Sequence, residues 1–264
     1  MARATTCRAA AALLLGLLTA VSGEAVAGFP FVTEDAGTQG TGNAEVEFTG
    51  QRAHDSDGSR TTSPGNTITM GLAPRTDLAI GYTYDFTTAA DGAKARGMGP
   101  VEATLKTIFL DGKSRIPALG VKAGLSLPVS EGDETAVLLT GVAQWSPEPL
   151  TVFANIGADI GTRLAGNDER TTALRASVAG AYEFRKEWYL LSELLWEKQS
   201  APSAPASAEW LVGGKKEIAD RFSVEGGIRW GLTADSPHVT CLFGITMKFH
   251  GDPAGVHPPA GEAR

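Results

Sequence analysis

The sequence predicts an all-β protein, a transmembrane, up-and-down antiparallel β-barrel of about twelve strands that follows a cleaved leader. Three observations indicate this: apolar and polar residues alternate with a period of two, long and short connections alternate, and aromatic residues lie near strand ends. With 42% hydrophobic and 20% charged residues, the chain is too apolar for disorder. The net charge of −7 excludes a general nucleic-acid binder, and only Cys7 and Cys241 are present, too few for a disulfide framework.

The first 27 residues have the pattern of a secretory signal peptide. Arg3 and Arg8 provide the positive start, residues 9–21 are apolar, and residues 25–27 form an Ala-x-Ala cleavage site. The alternative is a short buried helix. We expect residues 1–27 to be removed and the mature chain to begin near Gly28. Outside this leader, no apolar run reaches the about 18 residues of a membrane helix.

The alternation divides residues 43–249 into strands. In residues 78–86, Leu, Ile, Tyr, Tyr and Phe occupy the even positions, and Ala, Gly, Thr and Asp the odd ones. Most runs are longer than the usual five or six residues and close to the about 9–11 that a tilted strand needs to cross a bilayer. The predicted strands are 43–53, 65–73, 76–86, 99–110, 115–127, 135–145, 150–162, 171–184, 187–198, 208–217, 221–231 and 238–249.

Alternation alone does not distinguish a membrane barrel from a soluble sandwich, which also has an apolar face. The connections favour the barrel, because an outer-membrane meander has long loops outside and short turns on the periplasmic side. Trp188 and Trp196 lie about 26 Å apart on one apolar face, close to the spacing of two aromatic girdles once strand tilt is included. Core aromatics of a soluble protein are the alternative. The predicted girdle residues are Tyr82, Tyr84, Phe86, Tyr182, Trp188, Trp196 and Trp230.

The last strand places Phe243, Ile245, Met247 and Phe249 on one face. This row resembles the closing strand by which bacterial outer-membrane barrels are recognised for assembly. Residues 250–264 follow it and are expected to be a disordered tail. In lipid every backbone polar group needs an internal partner, so the first and last strands must pair. We expect hydrocarbon outside the barrel and water and ions inside.

In a membrane barrel the charged side chains of the strands are expected to point into the lumen, because a charge on the lipid face costs several kcal/mol near mid-membrane. A barrel of about eight strands has an interior filled by side chains, and one of about sixteen strands encloses an open channel; a barrel of twelve strands is intermediate in width. The inward charges could brace the wall as ion pairs or line a solute route. The predicted lumen-lining residues are Glu45, Glu47, Asp77, Asp85, Glu102, Lys106, Lys122, Asp159, Arg175, Glu183, Glu193, Glu197, Lys215, Glu225, Arg229 and Lys248.

One constellation bears on catalysis. Closure brings His54, at the end of the first strand, near His238, at the start of the last. Nearby are Asp55, Asp57, Asp235 and Ser236. This rim could hold a metal ion or a crude triad. Strand parity points the two histidines to opposite faces, and solvated rim histidines are the simpler interpretation. We expect no catalytic residue, no metal and no cofactor.

The residues after the leader carry a family resemblance. Residues 29–38 read Phe-Pro-Phe-Val-Thr-Glu-Asp-Ala-Gly-Thr, followed by Gly42 and by Glu-Val-Glu-Phe at 45–48. This resembles the start of the outer-membrane family named "MetA-pathway of phenol degradation", a transporter-like barrel family. The resemblance implies an outer-membrane barrel with a role in the uptake of small aromatic or hydrophobic compounds. Residues 28–42 are then a periplasmic segment, or a short plug that folds into the lumen.

The sequence therefore predicts an outer-membrane channel of a Gram-negative bacterium for passive passage of small molecules, with the barrel at 43–249. The expected partners are outer-membrane lipid, the barrel-assembly machinery and a small-molecule solute, with no nucleic acid. Two alternatives stay open: a structural or adhesion barrel with a blocked lumen and functional outer loops, and an outer-membrane hydrolase at the histidine rim.

Overall fold

The structure, a computed structural model, describes residues 29–113, 115–129, 135–162, 172–200 and 206–251. The predicted leader and nearly all of the predicted tail lie outside these ranges. The described residues form thirteen β-strands and contain no helix long and apolar enough to span a membrane. The strands are β1 (Ala44–His54), β2 (Arg60–Ala73), β3 (Thr76–Thr88), β4 (Lys94–Met98), β5 (Val101–Leu110), β6 (Ala118–Leu127), β7 (Thr135–Trp145), β8 (Leu150–Thr162), β9 (Thr172–Arg185), β10 (Trp188–Gln199), β11 (Ala206–Ala219), β12 (Phe222–Gly231) and β13 (Val239–Phe249).

The sheet closes into a barrel. Consecutive strands pair antiparallel, and β1 pairs with β13 from Ala44 opposite Phe249 to His54 opposite Val239. The short strand β4 pairs only with the far end of β3, so twelve strands form the closed wall. The predicted fold is confirmed, and a two-layer sandwich is excluded because the strand order returns to its start.

Most strand boundaries differ from the predicted spans by three residues or fewer, and two elements differ more. β2 begins at Arg60 rather than at residue 65, because Thr61 and Thr62 already pair with β1. Residues 94–98 form β4 rather than a loop, and Gly99 and Pro100 separate β4 from β5. Proline has no N–H to donate to a ladder, which is why the strand is interrupted there. Polar residues occupy both faces of these extensions, so the apolar–polar alternation that predicts a strand is absent there.

The two ends of the barrel have different connections. The strands meet in tight links at residues 74–75, 146–149, 186–187 and 220–221, and we call this the short-turn end. Both ends of the strand series, Ala44 and Phe249, lie there too. The predicted strict alternation of long and short links holds only in part. Link 55–59 at the opposite end has five residues, whereas link 111–117 at the short-turn end has seven.

The distribution of side chains is inverted relative to a soluble protein. On β10, Leu190 and Leu194 face outward and are 52% and 54% exposed, whereas the inward-facing Leu191 and Glu193 are each 1% exposed. Along the other strands, too, large apolar residues are exposed on the outer surface while charged ones are buried inside. A continuous apolar belt with a polar interior is the pattern of a barrel surrounded by lipid.

Candidate functional site: the lumen and the N-terminal segment

The chain before β1 lies inside the barrel. We call residues 29–43 the N-terminal segment. Phe31 is 8% exposed and packs in a pocket formed by Phe153, Leu191 and Leu211, with its ring centroid 5.9 Å from that of Phe153. The interior is therefore not purely polar, contrary to the expectation of water and ions throughout. The remaining walls of the pocket are Ala179, Ala181 and Leu242.

Small residues on the wall make room for the segment. A Cβ atom on Gly244 of β13 would lie 2.4 Å from the Phe29 ring, closer than van der Waals contact allows. The absence of a side chain at Gly244 is what lets Phe29 approach the wall. The wall is shaped to hold two aromatic rings of the segment.

A buried carboxylate pins the middle of the segment. The backbone N–H groups of Val32 and Thr33 donate to Glu193 Oε1 at 2.8 and 2.7 Å, and the Thr33 hydroxyl donates to the same oxygen at 2.8 Å. Arg229 Nη2 donates to the Pro30 carbonyl at 3.3 Å and lies 3.6 Å from Glu193 Oε2. Three donors converge on one oxygen of this buried carboxyl group, so Glu193 is the main polar anchor.

An ion-pair cluster holds the next part of the segment against the opposite wall. Glu34 pairs with Lys122 and lies 3.6 Å from Lys106, and Asp35 Oδ1 lies 2.8 Å from Lys106 Nζ. Burial alone would raise the pKa of Glu34, but Lys122 and Lys106 outweigh it and lower the pKa to about 2. Glu34 therefore stays ionised far below neutral pH, and the segment is clamped across the lumen.

Two side-chain amides and one carboxylate of the barrel wall hold the rest of the N-terminal segment. The Glu34 N–H donates to Asn155 Oδ1 at 2.6 Å, and the Ala36 N–H donates to Gln144 Oε1 at 2.9 Å. Further along, the Gln39 N–H donates to both carboxylate oxygens of Asp77, at 3.1 and 3.0 Å. Of these three wall residues, only Asp77 was among the predicted lumen-lining residues. Asn155 and Gln144 were missed, although their inward strand positions were the available signal.

A cavity of about 480 Å³ remains beside the segment. It extends toward the short-turn end and is lined by the segment, β1–β3, β5–β7 and β13. Acidic side chains slightly outnumber basic ones on its wall. The predicted lumen residues on it are Glu45, Glu47, Asp77, Glu102, Lys106, Lys122 and Lys248.

The other predicted lumen residues lie elsewhere along the inner wall. Arg175 bridges Asp159 at 2.7 Å and Glu197 at 2.9 Å, a cross-strand network at the end opposite the short turns. Lys215 and Glu225 are buried and opposite each other on β11 and β12. Two remain: Glu183 accepts the Glu187 N–H at 3.0 Å, and Asp85 stands half-buried opposite Gly97.

The predicted girdle residues lie on the outer surface. Tyr84 is half-buried against Phe86, with ring centroids 5.0 Å apart, and the other predicted girdle residues are exposed. Trp145 and Trp210 are also exposed near strand ends and were missed. Trp210 packs against Trp230 at 5.6 Å. On β13 the row from Phe243 to Phe249 faces outward, with both phenylalanines more than half exposed.

At the predicted histidine rim, backbone groups engage the serine hydroxyl. The register brings His54 opposite Val239, next to His238, as closure requires. The Ser236 hydroxyl donates to the Ala208 carbonyl at 2.8 Å and accepts the Ala208 N–H at 3.0 Å, so it pins a loop. Among the described residues, no group of three or more His, Cys, Asp or Glu side chains is placed to hold a metal ion.

Known proteins share this architecture. No protein-family model matches the sequence, and no curated protein matches it. An outer membrane channel from Pseudomonas putida F1 is similar, with a TM-score of 0.64 at 12% identity, over 84% of this chain and 100% of that one. The NanC porin gives a TM-score of 0.59 at 8% identity over 77% and 98% of the two chains. The translocator domain of the autotransporter NalP from Neisseria meningitidis gives 0.51 at 13% identity over 78% and 87%. At these identities the likeness shows the fold, which is that of outer-membrane β-barrels and is shared with channels.

Proposed function

We propose that this protein is an outer-membrane channel for passive passage of small molecules, and that its N-terminal segment closes the lumen. The observation that carries the proposal is the seating of that segment, which crosses the barrel interior and leaves a cavity of about 480 Å³ at its side. Side chains alone fill the interior of a barrel of about eight strands, whereas a barrel of twelve strands is wider and has room for a chain segment that closes it.

The way in which the segment is held supports a removable closure. Among the described residues, backbone-to-backbone hydrogen bonds of this region begin only at Gly40, next to β1. Between Phe29 and Gln39, backbone N–H groups bond to side chains of the wall instead. The segment is not a strand of the sheet, so it can leave without opening the ladder of the barrel.

The pocket beneath the segment supports small aromatic or hydrophobic compounds as the solute. When Phe31 leaves, Phe153, Leu191 and Leu211 line an apolar site with Glu193 and Arg229 at its edge. A few polar groups beside an apolar pocket are typical of small-molecule sites. This agrees with the resemblance to the MetA-pathway of phenol degradation family, of which we propose the chain to be a member.

Localisation follows from the same proposal. The leader would direct the chain across the inner membrane, and the outward row of β13 from Phe243 to Phe249 would be read by the barrel-assembly machinery of a Gram-negative bacterium. The apolar belt would then face outer-membrane lipid.

A structural or adhesion barrel with a blocked lumen is the second candidate, since the filled interior around Phe31 also suits it. Conductance separates the two. The chain from Gly28 onward and a variant lacking residues 29–39 would be refolded into planar bilayers, with folding verified by the heat-dependent shift in gel mobility. We expect the deletion to raise single-channel conductance at least tenfold, and to admit phenylalanine, an aromatic zwitterion that crosses lipid slowly, faster than glucose in liposome-swelling assays. A folded deletion variant that stays non-conducting and impermeable would instead support the structural barrel.

A further inference from the structure

Two buried polar atoms beside the Phe31 pocket have no hydrogen-bond partner among the described residues while the N-terminal segment is seated. They are Glu193 Oε2 and Arg229 Nε, on side chains of residues that are 1% and 8% exposed. Arg229 Nη2 lies 3.6 Å from Glu193 Oε2, which is too long for a hydrogen bond. Since buried polar groups in native proteins are almost always hydrogen-bonded, this acceptor and this donor indicate a site for groups that the segment does not supply.

The seated segment shows what kind of molecule the site can hold. The Phe31 ring fills the apolar pocket. On one side of this ring, the Pro30 carbonyl accepts from Arg229 Nη2 at 3.3 Å. On the other side, two N–H groups and one hydroxyl of the following residues donate to Glu193 Oε1. The site therefore takes an aromatic ring, a hydrogen-bond acceptor and a set of hydrogen-bond donors together.

The segment satisfies these wall groups only in part. One carbonyl oxygen engages a single nitrogen of the Arg229 guanidinium group, whereas a carboxylate has two oxygens and can accept from Nη2 and Nε at once. All three donors converge on one oxygen of Glu193, whereas an ammonium group has three N–H donors that can be shared between both oxygens. A carboxylate and an ammonium group together would supply partners for both of the unsatisfied atoms.

We infer that the site, once the segment releases it, binds aromatic α-amino acids as zwitterions, with the ring in the Phe31 pocket, the carboxylate on Arg229 and the ammonium group on Glu193. Phenylalanine has the same side chain as Phe31, so its ring fits the pocket. Glu193 and Arg229 form an ion pair, and a zwitterion offers each of them an opposite charge. The inference rests on the proposed function in one respect, the release of the segment, and it names the class of solute.

Competition between the amino acid and the segment makes the site measurable in the full chain. A ligand that binds only the released state increases the apparent released fraction in proportion to 1 + [L]/Kd. The amides of Val32 and Thr33 donate to Glu193 and exchange only when the segment leaves, so their exchange rates report this fraction. We expect about 50 mM phenylalanine to accelerate exchange of both amides at least fivefold in the detergent-folded protein, with no change at amides in the middle of the strands.

Three analogues test the role of each part of the ligand. Alanine lacks the ring, 3-phenylpropionate lacks the ammonium group, and phenethylamine lacks the carboxylate. A site built to pair a polar group rejects an analogue that lacks it, because its own buried group is then left unpaired. At the same concentration, each analogue should accelerate exchange less than twofold.

Three variants test the wall residues. Glu193→Gln and Arg229→Gln should each reduce the acceleration by phenylalanine to less than twofold, relative to the same variant without ligand. Arg175→Gln removes an inward arginine at the opposite end of the lumen, and this matched control should respond like the wild type. Equilibrium dialysis of radiolabelled phenylalanine repeats the comparison in chains that also have Phe31→Ala, in which the Phe31 ring no longer fills the pocket. There, Glu193→Gln and Arg229→Gln should each bind at least fivefold more weakly.

The outcomes separate this site from the channel, because no conductance is measured. Exchange that phenylalanine leaves unchanged, an equal effect of 3-phenylpropionate, or wild-type acceleration and binding in Glu193→Gln and Arg229→Gln would each overturn the inference. If the deletion variant conducts while phenylalanine leaves exchange unchanged, the channel stands and the amino-acid site is rejected. If phenylalanine accelerates exchange while the deletion variant does not conduct, the site stands and the channel is rejected.

Discussion

Truncating Phe31 tests whether apolar burial holds the N-terminal segment in the lumen. Phe31→Ala removes a ring that is 8% exposed and leaves a hole between Phe153, Leu191 and Leu211. These side chains project from separate strands of a closed barrel and have little freedom to collapse into the hole. Large-to-small changes at buried phenylalanines cost about 3–5 kcal/mol. Since about 1.4 kcal/mol is a factor of ten, the ratio of seated to released segment should fall by a factor of about 100 to several thousand.

Amide hydrogen exchange, in detergent or in lipid discs, measures the ratio of seated to released segment. The amides of Val32 and Thr33 both donate to Glu193, so they exchange only when the segment leaves. In Phe31→Ala their protection should fall by the same factor, while amides in the middle of the strands remain unchanged. Val32→Ala is the matched control, because the adjacent Val32 side chain is 53% exposed and its loss removes almost no burial.

Two results would refute this reasoning. If protection of the Val32 and Thr33 amides changed by less than threefold in Phe31→Ala, the polar anchors alone would hold the segment. If strand amides lost protection in parallel, Phe31 would stabilise the whole barrel rather than a separable segment.

Three further perturbations follow from the geometry. The pKa of Glu34 is lowered to about 2 from 4.5, so the stabilisation by its carboxylate is complete above about pH 4.5 and is lost as the pH falls through about 2. Segment protection, corrected for intrinsic exchange, should therefore decrease below pH 4. Gly244→Ala places a methyl group against the Phe29 ring and should weaken seating by about 1–3 kcal/mol, measured by the same exchange. Ile156→Arg puts a charge on an outward residue at the middle of β8 and should cost about 2–4 kcal/mol in urea titrations of the vesicle-folded barrel.

Each of these has a control and a contrary outcome. Glu34→Gln should abolish the decrease below pH 4; if the decrease persists, another acid is responsible. Gly50→Ala, where the nearest atom to a new Cβ lies 4.0 Å away, should not affect seating. Ile218→Arg, near the short-turn end of β11, should cost only about 0–1 kcal/mol, and equal costs at both sites would mean that the outer face does not lie in hydrocarbon.

The strands of this barrel can be predicted from the sequence because lipid on one face and the lumen on the other require different side chains at alternate positions. Each wall residue faces either lipid or the lumen, so the two-residue period persists through β7 (Thr135–Trp145) and β8 (Leu150–Thr162), whose predicted spans match the structure. Where both faces meet water the constraint disappears. This is why the polar residues of β4 and the first residues of β2 were taken for loops.

The course of the N-terminal segment was not predictable in the same way. Its contacts join residues more than one hundred positions apart, such as Thr33 and Glu193, and no local periodicity encodes such pairings. The predicted lumen residues are all charged, so they include Lys106 but not the neutral Asn155. Phe31 could be recognised as an interior residue only once Phe153 was known to face inward, since phenylalanines on the outer belt look the same in sequence.

The contacts of Glu193 are consistent with an N-terminal segment that closes the lumen and can be released. Three donors converge on Oε1, whereas neither Oε2 nor Arg229 Nε has a hydrogen-bond partner among the described residues. Each has only an ion-pair contact at 3.6 Å, Oε2 with Arg229 Nη2 and Arg229 Nε with Glu209. Each unsatisfied buried polar group costs about 1–3 kcal/mol, and water recovers that energy when the segment leaves. The polar anchor therefore contributes less to the seated state than its three bonds suggest, and the burial of Phe31 must supply the margin. Replacing Glu193 by Gln should then loosen the segment less than Phe31→Ala does, because the amide oxygen still accepts from Val32 and Thr33; a larger effect of Glu193→Gln would assign the closure to electrostatics instead.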